Sequence, residues 1–438
     1  MQFKATGKTE KNNAPLVTFK DAILRCLPEE GGLYIPATVP DLRRFFLYMN
    51  EDTNYKEMAA TLAANLLQGE LNPYSASWVA ESAFSFEPDL KQLDERFSIL
   101  DLGDGPTGVF KDFGIAFLAA VMEEFLKNAS PVMVISAAQG DIGTSIANAF
   151  HKRKNIIAVI LYPQGLVRGI DTEALLKNGG NIIPIQVNGT LDDCNKLISG
   201  LIHDRKFSDR YRITCANAIN PGRLLSQSFY YIYAFVKLKQ SLQDALLFSV
   251  PCGNFGNLIG GLYAWKFGLP VSGFIAAQNS NNPMADIAAG RRGTARPPVA
   301  TISPALDVTY PSNWERLASF YEETPAVMKH MVTQRVIDEK TTMRTIEEVW
   351  KRYGIMIDPH GAVAFAAARD VASQKDFDDH IVVLATGHAA NHPELVAKVT
   401  GKPAVIPERL ALLRQTATPC AVIENDLFAL ETTIAASY

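Results

Sequence analysis

From about residue 99 onward the chain repeats one pattern: a short apolar run rich in β-branched residues, a turn, then a helix. The runs fall at 132–136, 156–161, 182–187, 246–250, 271–277 and 381–385, with helical stretches such as 145–152 and 258–267 between them. Runs that are apolar throughout, rather than at alternate positions, need cover on both faces, which predicts parallel strands flanked by helices. The fold class is therefore α/β, with open parallel sheets. The first 98 residues read differently. They carry helical stretches at 19–27, 42–49 and 55–67, short extended pieces such as 32–36, and no glycine turn able to close on a phosphate. With 438 residues the chain has room for two or three domains. We place them at 1–98 (accessory), 99–225 (α/β) and 226–438 (α/β).

A formal net charge of -4 gives no support for a nucleic-acid partner. Any anion site must be local, built from backbone N–H groups and a few cations. The apolar helical run 113–122 stops at Glu123-Glu124, too short to cross a bilayer, and the N-terminal residues MQFKATGKTEKNN lack the apolar core of a signal peptide. Five scattered cysteines with no CxxC pair argue against a disulfide framework or a structural zinc site and point to a reducing cytoplasm.

Lys111 follows Asp104-Gly105-Pro106-Thr107-Gly108-Val109-Phe110 and opens a helical pattern. The unpaired N–H groups of a helix start disfavour an ammonium there, and Val109, Phe110 and Phe113 add desolvation. A lysine pushed towards the neutral amine attacks carbonyls and forms a Schiff base. Taken alone, such a lysine reads first as an ordinary surface residue near a helix start, and only the rest of the chain can overturn that.

Ser249-Val250-Pro251-Cys252-Gly253-Asn254-Phe255-Gly256-Asn257 delivers a strand through a small-residue turn onto a helix start. On pattern alone it reads as a plain βα turn or as an anion site, since glycines admit a ligand close to the backbone and exposed N–H groups there can bind an anion. The spacing matches neither a dinucleotide fingerprint nor a nucleoside-triphosphate loop. Gln139-Gly140-Asp141-Ile142-Gly143-Thr144 is a second strand-to-helix turn, with Thr144 a reasonable N-cap. Thr386-Gly387-His388 ends an apolar strand and offers a hydroxyl. Asn217 to Arg223 precede a helix with Phe229, Tyr230, Tyr231, Tyr233 and Phe235, aromatics that read as packing. Arg223 is either a surface-turn residue or a bidentate phosphate clamp. His388/His392 and Asp358/His360 do not complete a ligand set by spacing, so no metal is expected. The stretch 279–313, rich in Pro, Gly, Asn and Arg, reads as a functional loop or lid.

These motifs, together with Asp358-Pro359-His360, Tyr162-Pro163-Gln164-Gly165, Leu224-Leu225-Ser226-Gln227 and Pro311-Ser312-Asn313-Trp314, stand in the order seen in threonine synthases. The chain resembles that family over nearly its whole length. The resemblance implies the tryptophan-synthase β-like fold (fold type II of the pyridoxal-phosphate enzymes), with the N-terminal accessory domain. It also implies pyridoxal 5'-phosphate as cofactor, with Lys111 as the Schiff-base and proton-shuttling residue. By the same resemblance Cys252, Gly253, Asn254, Phe255, Gly256 and Asn257 cradle the cofactor phosphate. Asp141 stands beside its phenolic oxygen, and Thr386 faces its pyridine nitrogen. Gln139, Gly140, Ile142, Gly143, Asn217, Arg223 and Asn391 are then the substrate-side residues. The implied reaction takes O-phosphohomoserine and water to threonine and phosphate. The expected partner is a small amino-acid substrate, and the expected assembly a monomer or homodimer.

Departures from the family pattern gather on the substrate side. Asp104 replaces a His, Ala138-Gln139 and Ile142 replace hydroxyl residues, and Ala218, Cys252 and Asn391 replace Ser, Ser and Lys. Each lost hydrogen bond to a charged group is worth about 1.5–3 kcal/mol. Two enzymatic readings stay open: threonine synthase, or a threonine-synthase-like lyase or β/γ-replacement enzyme with another amino-acid substrate. A cofactor-binding relic is the non-enzymatic alternative, and retention of Lys111 speaks against it.

Overall fold

Three sheets organise the chain in the computed structural model, which describes residues 1–7, 15–138, 141–164, 180–242, 245–285, 297–374, 377–412 and 421–437, without the side chains of Asp141 and Arg205. The first is a small antiparallel sheet, β1 (Gln2–Ala5), β2 (Val17–Thr18) and β3 (Tyr34–Pro36), ordered β2-β1-β3. Its helices start as their sequences dictate: Thr18, Asn54 and Asn72 each accept an N–H from the first turn of Phe19–Arg25, Tyr55–Leu66 and Pro73–Ala83.

Next come β4 (Asp89–Gln92), β5 (Phe97–Asp101), β6 (Val132–Ala137), β7 (Ile156–Pro163), β8 (Ile182–Asn188) and β9 (Ile213–Thr214). The last strands are β10 (Leu246–Pro251), β11 (Gly273–Gln278), β12 (Val332–Val336), β13 (His380–Ala385) and β14 (Ala421–Glu424). One sheet is ordered β12-β11-β10-β13-β5-β4, parallel except for the antiparallel edge strand β4. The other is ordered β14-β8-β7-β6-β9 and is parallel throughout. Every residue of β6, β10, β11 and β13 is buried, as the uniformly apolar runs require.

The sheets do not follow the boundaries at 98/99 and 225/226. β5 pairs with β13, so residues 97–101 belong with the late strands, and β14 returns to pair with β8. Strand pairing at this sequence distance leaves no local signal. The helix Pro221–Leu238, capped by Asn220, is buried along nearly its whole length. It packs against Lys111–Phe125 and Gly256–Lys266, the helices that carry the lysine turn and the glycine turn. At about 1.5–3 kcal/mol for each large side chain it buries, this helix is a principal stabiliser of the joint between the sheets.

Two local expectations change. The helix after β6 starts at Asp141 and runs to Phe150, so Thr144 lies inside it, buried, and is not the N-cap. Cys26 and Cys215 are bonded, with Cα atoms 6.1 Å apart, although cysteine spacing gave no sign of it. Their separation of 189 residues is bridged only because Phe19–Arg25 packs beside β9.

Candidate active site

Lys111 is the first residue of the helix Lys111–Phe125 and is half-buried. Phe110, at the N-cap, gives no side-chain cap. The turn before it is fixed from three sides. Along one side it is stitched to the end of β13. Leu102 N–H donates to the Ala385 carbonyl (2.9 Å), Phe110 N–H to Thr386 (2.9 Å), and His388 N–H to Gly108 (2.7 Å). Thr386, itself buried, is thereby held beside the lysine turn. On a second side the buried Asp112 accepts from Thr107 N–H (2.8 Å), Thr107 Oγ1 (2.8 Å) and Ser145 Oγ (2.7 Å). Ser145 lies on Asp141–Phe150, so one carboxylate joins the lysine turn to the helix after β6. On the third, Arg409 donates to the Gly105 and Gly103 carbonyls (3.0 Å each) and pairs with Asp104 (3.2 Å). The acid at position 104 thus has a local partner.

At the end of β10, Phe255 takes a left-handed conformation (φ +60°) and the next helix starts at Gly256. Among the described residues, the N–H groups of 253–257 make no hydrogen bond. Ser312 N–H donates to Asn254 Oδ1 (3.0 Å), which bonds the turn to the loop over it. Asn257 is buried. Its Oδ1 accepts from Tyr230 (2.6 Å) and Tyr231 (2.8 Å), while its Nδ2 finds no partner among the described residues. The aromatic cluster is therefore packing, as expected, and also aims Asn257. Cys252 is buried, and burial pushes its thiol far up, so it offers no thiolate.

Arg223 is not on a surface turn. It is buried beside Gly114, where a Cβ would sit 2.7 Å from Arg223 Cγ. Its Nη1 donates to the Ala216 carbonyl (3.3 Å), and its Nε has no partner among the described residues. Burial draws the guanidinium down to about 10, which leaves it a cation at neutral pH. Gln227 Oε1, one helical turn on, and Asn217 Oδ1 are likewise buried without partners among the described residues. Ile142 packs partly buried against the main apolar cluster, and Gly143 is buried. Gln139 and Gly140 lie outside the described residues.

Asn391 Nδ2 donates to Gly108 (3.1 Å) and Thr107 (3.4 Å), so it braces the lysine turn. Ala218 contributes its carbonyl to Arg316 Nη1 (3.3 Å) and Asn313 Nδ2 (3.2 Å). Fully buried Arg316 also bonds Tyr34 (2.9 Å), Asn313 Oδ1 (2.6 Å) and Ile219 (2.5 Å), tying the accessory sheet to the segment behind Asn217.

Ligand-type atoms of Asp358, His360 and His392 lie within 4.8 Å of one another, a grouping that spacing could not reveal. Both His360 ring nitrogens are engaged, by Asp358 and by Ala305 N–H. Burial raises the Asp358 carboxyl, but His360, His392 and the Gly361 N–H outweigh it and hold it below the usual carboxylate value.

Unpartnered N–H groups on a glycine turn, an unpartnered Asn257 amide, a buried hydroxyl at Thr386 and a lysine beside it suit a phosphorylated pyridine aldehyde. The relatives agree. Residues 88–387 match the family described as pyridoxal-phosphate dependent enzyme, 8–84 the threonine synthase N terminus, and 361–434 the threonine synthase C-terminal family. Threonine synthase of Serratia marcescens is 32% identical over 404 residues, 92% of each chain. The crystal structure of threonine synthase from Escherichia coli superposes with a TM-score of 0.86 at 29% identity, covering 100% of both chains. The pyridoxal-phosphate-bound enzyme from Brucella melitensis gives 0.87 at 27%, covering 100% of this chain and 99% of that one. A pyridoxal-phosphate fold of type II with an accessory N-terminal domain, these matches and the lysine and glycine turns lead to one conclusion: the chain belongs to the threonine synthase family of pyridoxal-phosphate-dependent enzymes.

Proposed function

We propose that this chain converts O-phosphohomoserine and water to threonine and phosphate. The observation that carries the reading is the backbone stitching of the lysine turn to Thr386, with a glycine turn of free N–H groups on the same sheet. Pyridoxal phosphate, when bound, supplies the electron sink for carbanion chemistry.

The chain's residues would do the rest. Lys111 Nζ would hold the cofactor and, once freed by the substrate amine, would take the Cα proton and then a Cβ proton, and would return protons to Cγ and to Cα. Phosphate leaves from Cγ, and water adds at Cβ. The N–H groups of 253–257 hold the cofactor phosphate at a helix start, with Asn257 Nδ2 as a further donor. Thr386 would present a neutral hydroxyl to the pyridine nitrogen, which would moderate the sink and favour elimination and replacement over transamination. By the family resemblance Asp141 would be placed beside the phenolic oxygen; its side chain lies outside the described residues. Arg223, a buried cation with no carboxylate ion pair among the described residues, takes an anionic group of the substrate. Asn217, Ile142 and Gly143 would complete the substrate side, with Gln139 and Gly140, outside the described residues, assigned by the resemblance alone.

Two departures from the family pattern have partners within the protein: Asp104 pairs with Arg409, and Asn391 braces the lysine turn. These two give no reason to assign another substrate. No helix of the described residues is long and apolar enough to cross a membrane. A cytoplasmic monomer or homodimer fits the reading.

Purified protein loaded with cofactor and given O-phosphohomoserine should release phosphate and form threonine in equal amounts. Cofactor-loaded protein that produces neither overturns the proposal. Elimination without threonine would favour the altered-substrate alternative instead.

A further inference from the structure

We propose that His360 is a positioning residue for the glycine turn, acting through the backbone of the 303–308 loop. This rests on the reading that the 253–257 turn takes the cofactor phosphate. His360 Nε2 accepts the Ala305 N–H at 3.1 Å. An imidazole nitrogen that accepts carries no proton, so the proton sits on Nδ1, where it meets Asp358 Oδ2 at 2.5 Å. Asp358 is itself fixed: it caps Pro359–Ala372 and its Oδ1 accepts Gly361 N–H at 2.7 Å. The carboxylate thus sets the tautomer, and the tautomer sets which loop group the ring can hold.

What that loop touches gives the relay its purpose. A Cβ built on Gly253 would lie 2.7 Å from the Ala305 carbonyl and 3.1 Å from Leu306 Cα. The loop backbone therefore lies directly against the first glycine of the turn. On the other side, a Cβ on Gly387 would lie 2.5 Å from Asp358 Oδ2. One Asp–His pair therefore sits between the glycine turn and the Thr386 strand end. Freed from His360, the 303–308 backbone can withdraw from Gly253, and the turn's N–H groups lose their fixed aim.

The two ring nitrogens are separable by substitution. Glutamine places an amide oxygen near the Nε2 position and can still accept from Ala305. Asparagine places its amide near Nδ1, so it can satisfy Asp358 but not reach Ala305. The readout is the ratio of pyridoxal to pyridoxal 5'-phosphate dissociation constants of the apoprotein, taken by absorbance or fluorescence titration, with apoprotein melting alongside. The ratio isolates phosphate recognition, which a general loss of stability does not change selectively. His360→Asn and His360→Ala should lower the ratio about tenfold or more, while His360→Gln keeps it within about threefold of wild type. Unchanged ratios in His360→Asn and His360→Ala overturn the proposal, as does a His360→Gln ratio that falls as far as that of His360→Ala. A wild type that binds both compounds equally fails at the earlier step, the assignment of the turn to phosphate.

Discussion

Asp112 sets the geometry on which Lys111 depends. It accepts three hydrogen bonds within 2.8 Å, from a turn N–H, a threonine and a serine on another helix. Asparagine keeps the shape but turns one acceptor into a donor facing those donors. Asp112→Asn should therefore destabilise the protein by about 3 kcal/mol in denaturant titration. A loss below about 0.5 kcal/mol would show that the network is not needed to hold the turn. The role of Lys111 took motifs elsewhere in the chain to suggest, but the helix start there was legible from local signals: breakers, a cap region and an apolar helical run within a few residues. Asp112, Gln227 and Arg316 were not. Their partners stand far along the chain, and nothing in a neighbouring residue announces a buried carboxylate or guanidinium.

At the scale of elements, the informative unit is the end of β13, where Thr386, Gly387 and His388 meet the lysine turn. His388 Nδ1 accepts the Ala390 N–H (3.1 Å) and so caps the short turn Ala389–Asn391, which carries the bracing Asn391. Burial holds the His388 imidazole below its usual value of 6.5, and Arg409 acts in the same direction; Asp101, Asp104 and Asp358 oppose them only in part. Its folded value is thus depressed, so the unfolded chain binds the proton more readily. The stability it contributes is present above about pH 6.5 and is lost as pH falls towards its folded value. The melting temperature should fall between pH 7 and pH 5, and His388→Asn, whose amide can cap without titrating, should flatten that slope. An equal slope in the variant would assign the acid sensitivity elsewhere. The strands and glycine turns of this unit were readable because each has a local period or a breaker. The crossing of β5 to β13 was not, since pairing between residues nearly 300 apart leaves no mark in either segment.

Over the whole molecule, Arg316 joins parts that are remote in sequence: the accessory sheet at Tyr34, the segment at 218–219 and its own helix start at Asn313. Arg316→Met should cost about 3 kcal/mol or more, since three backbone carbonyls lose a buried charged donor. It should also raise KM for O-phosphohomoserine more than it lowers kcat, because the loosened segment carries Asn217. Equal KM in the variant would separate the accessory domain from substrate binding. The overall class was legible because both the uniformly apolar strands and the motif order survive at this degree of divergence. The way the sheets share residues, and the Cys26–Cys215 bond, arise only once the chain has folded back on itself.

In the proposed reaction the cofactor and the catalytic proton transfers both depend on Lys111. Borohydride reduction of the cofactor-loaded protein, followed by peptide mapping, tests it directly. A cofactor-derived label is expected on Lys111, absent from Lys111→Ala along with the visible absorbance of the lysine-linked cofactor. A label on any other lysine, or visible absorbance that survives unchanged in Lys111→Ala, would contradict it.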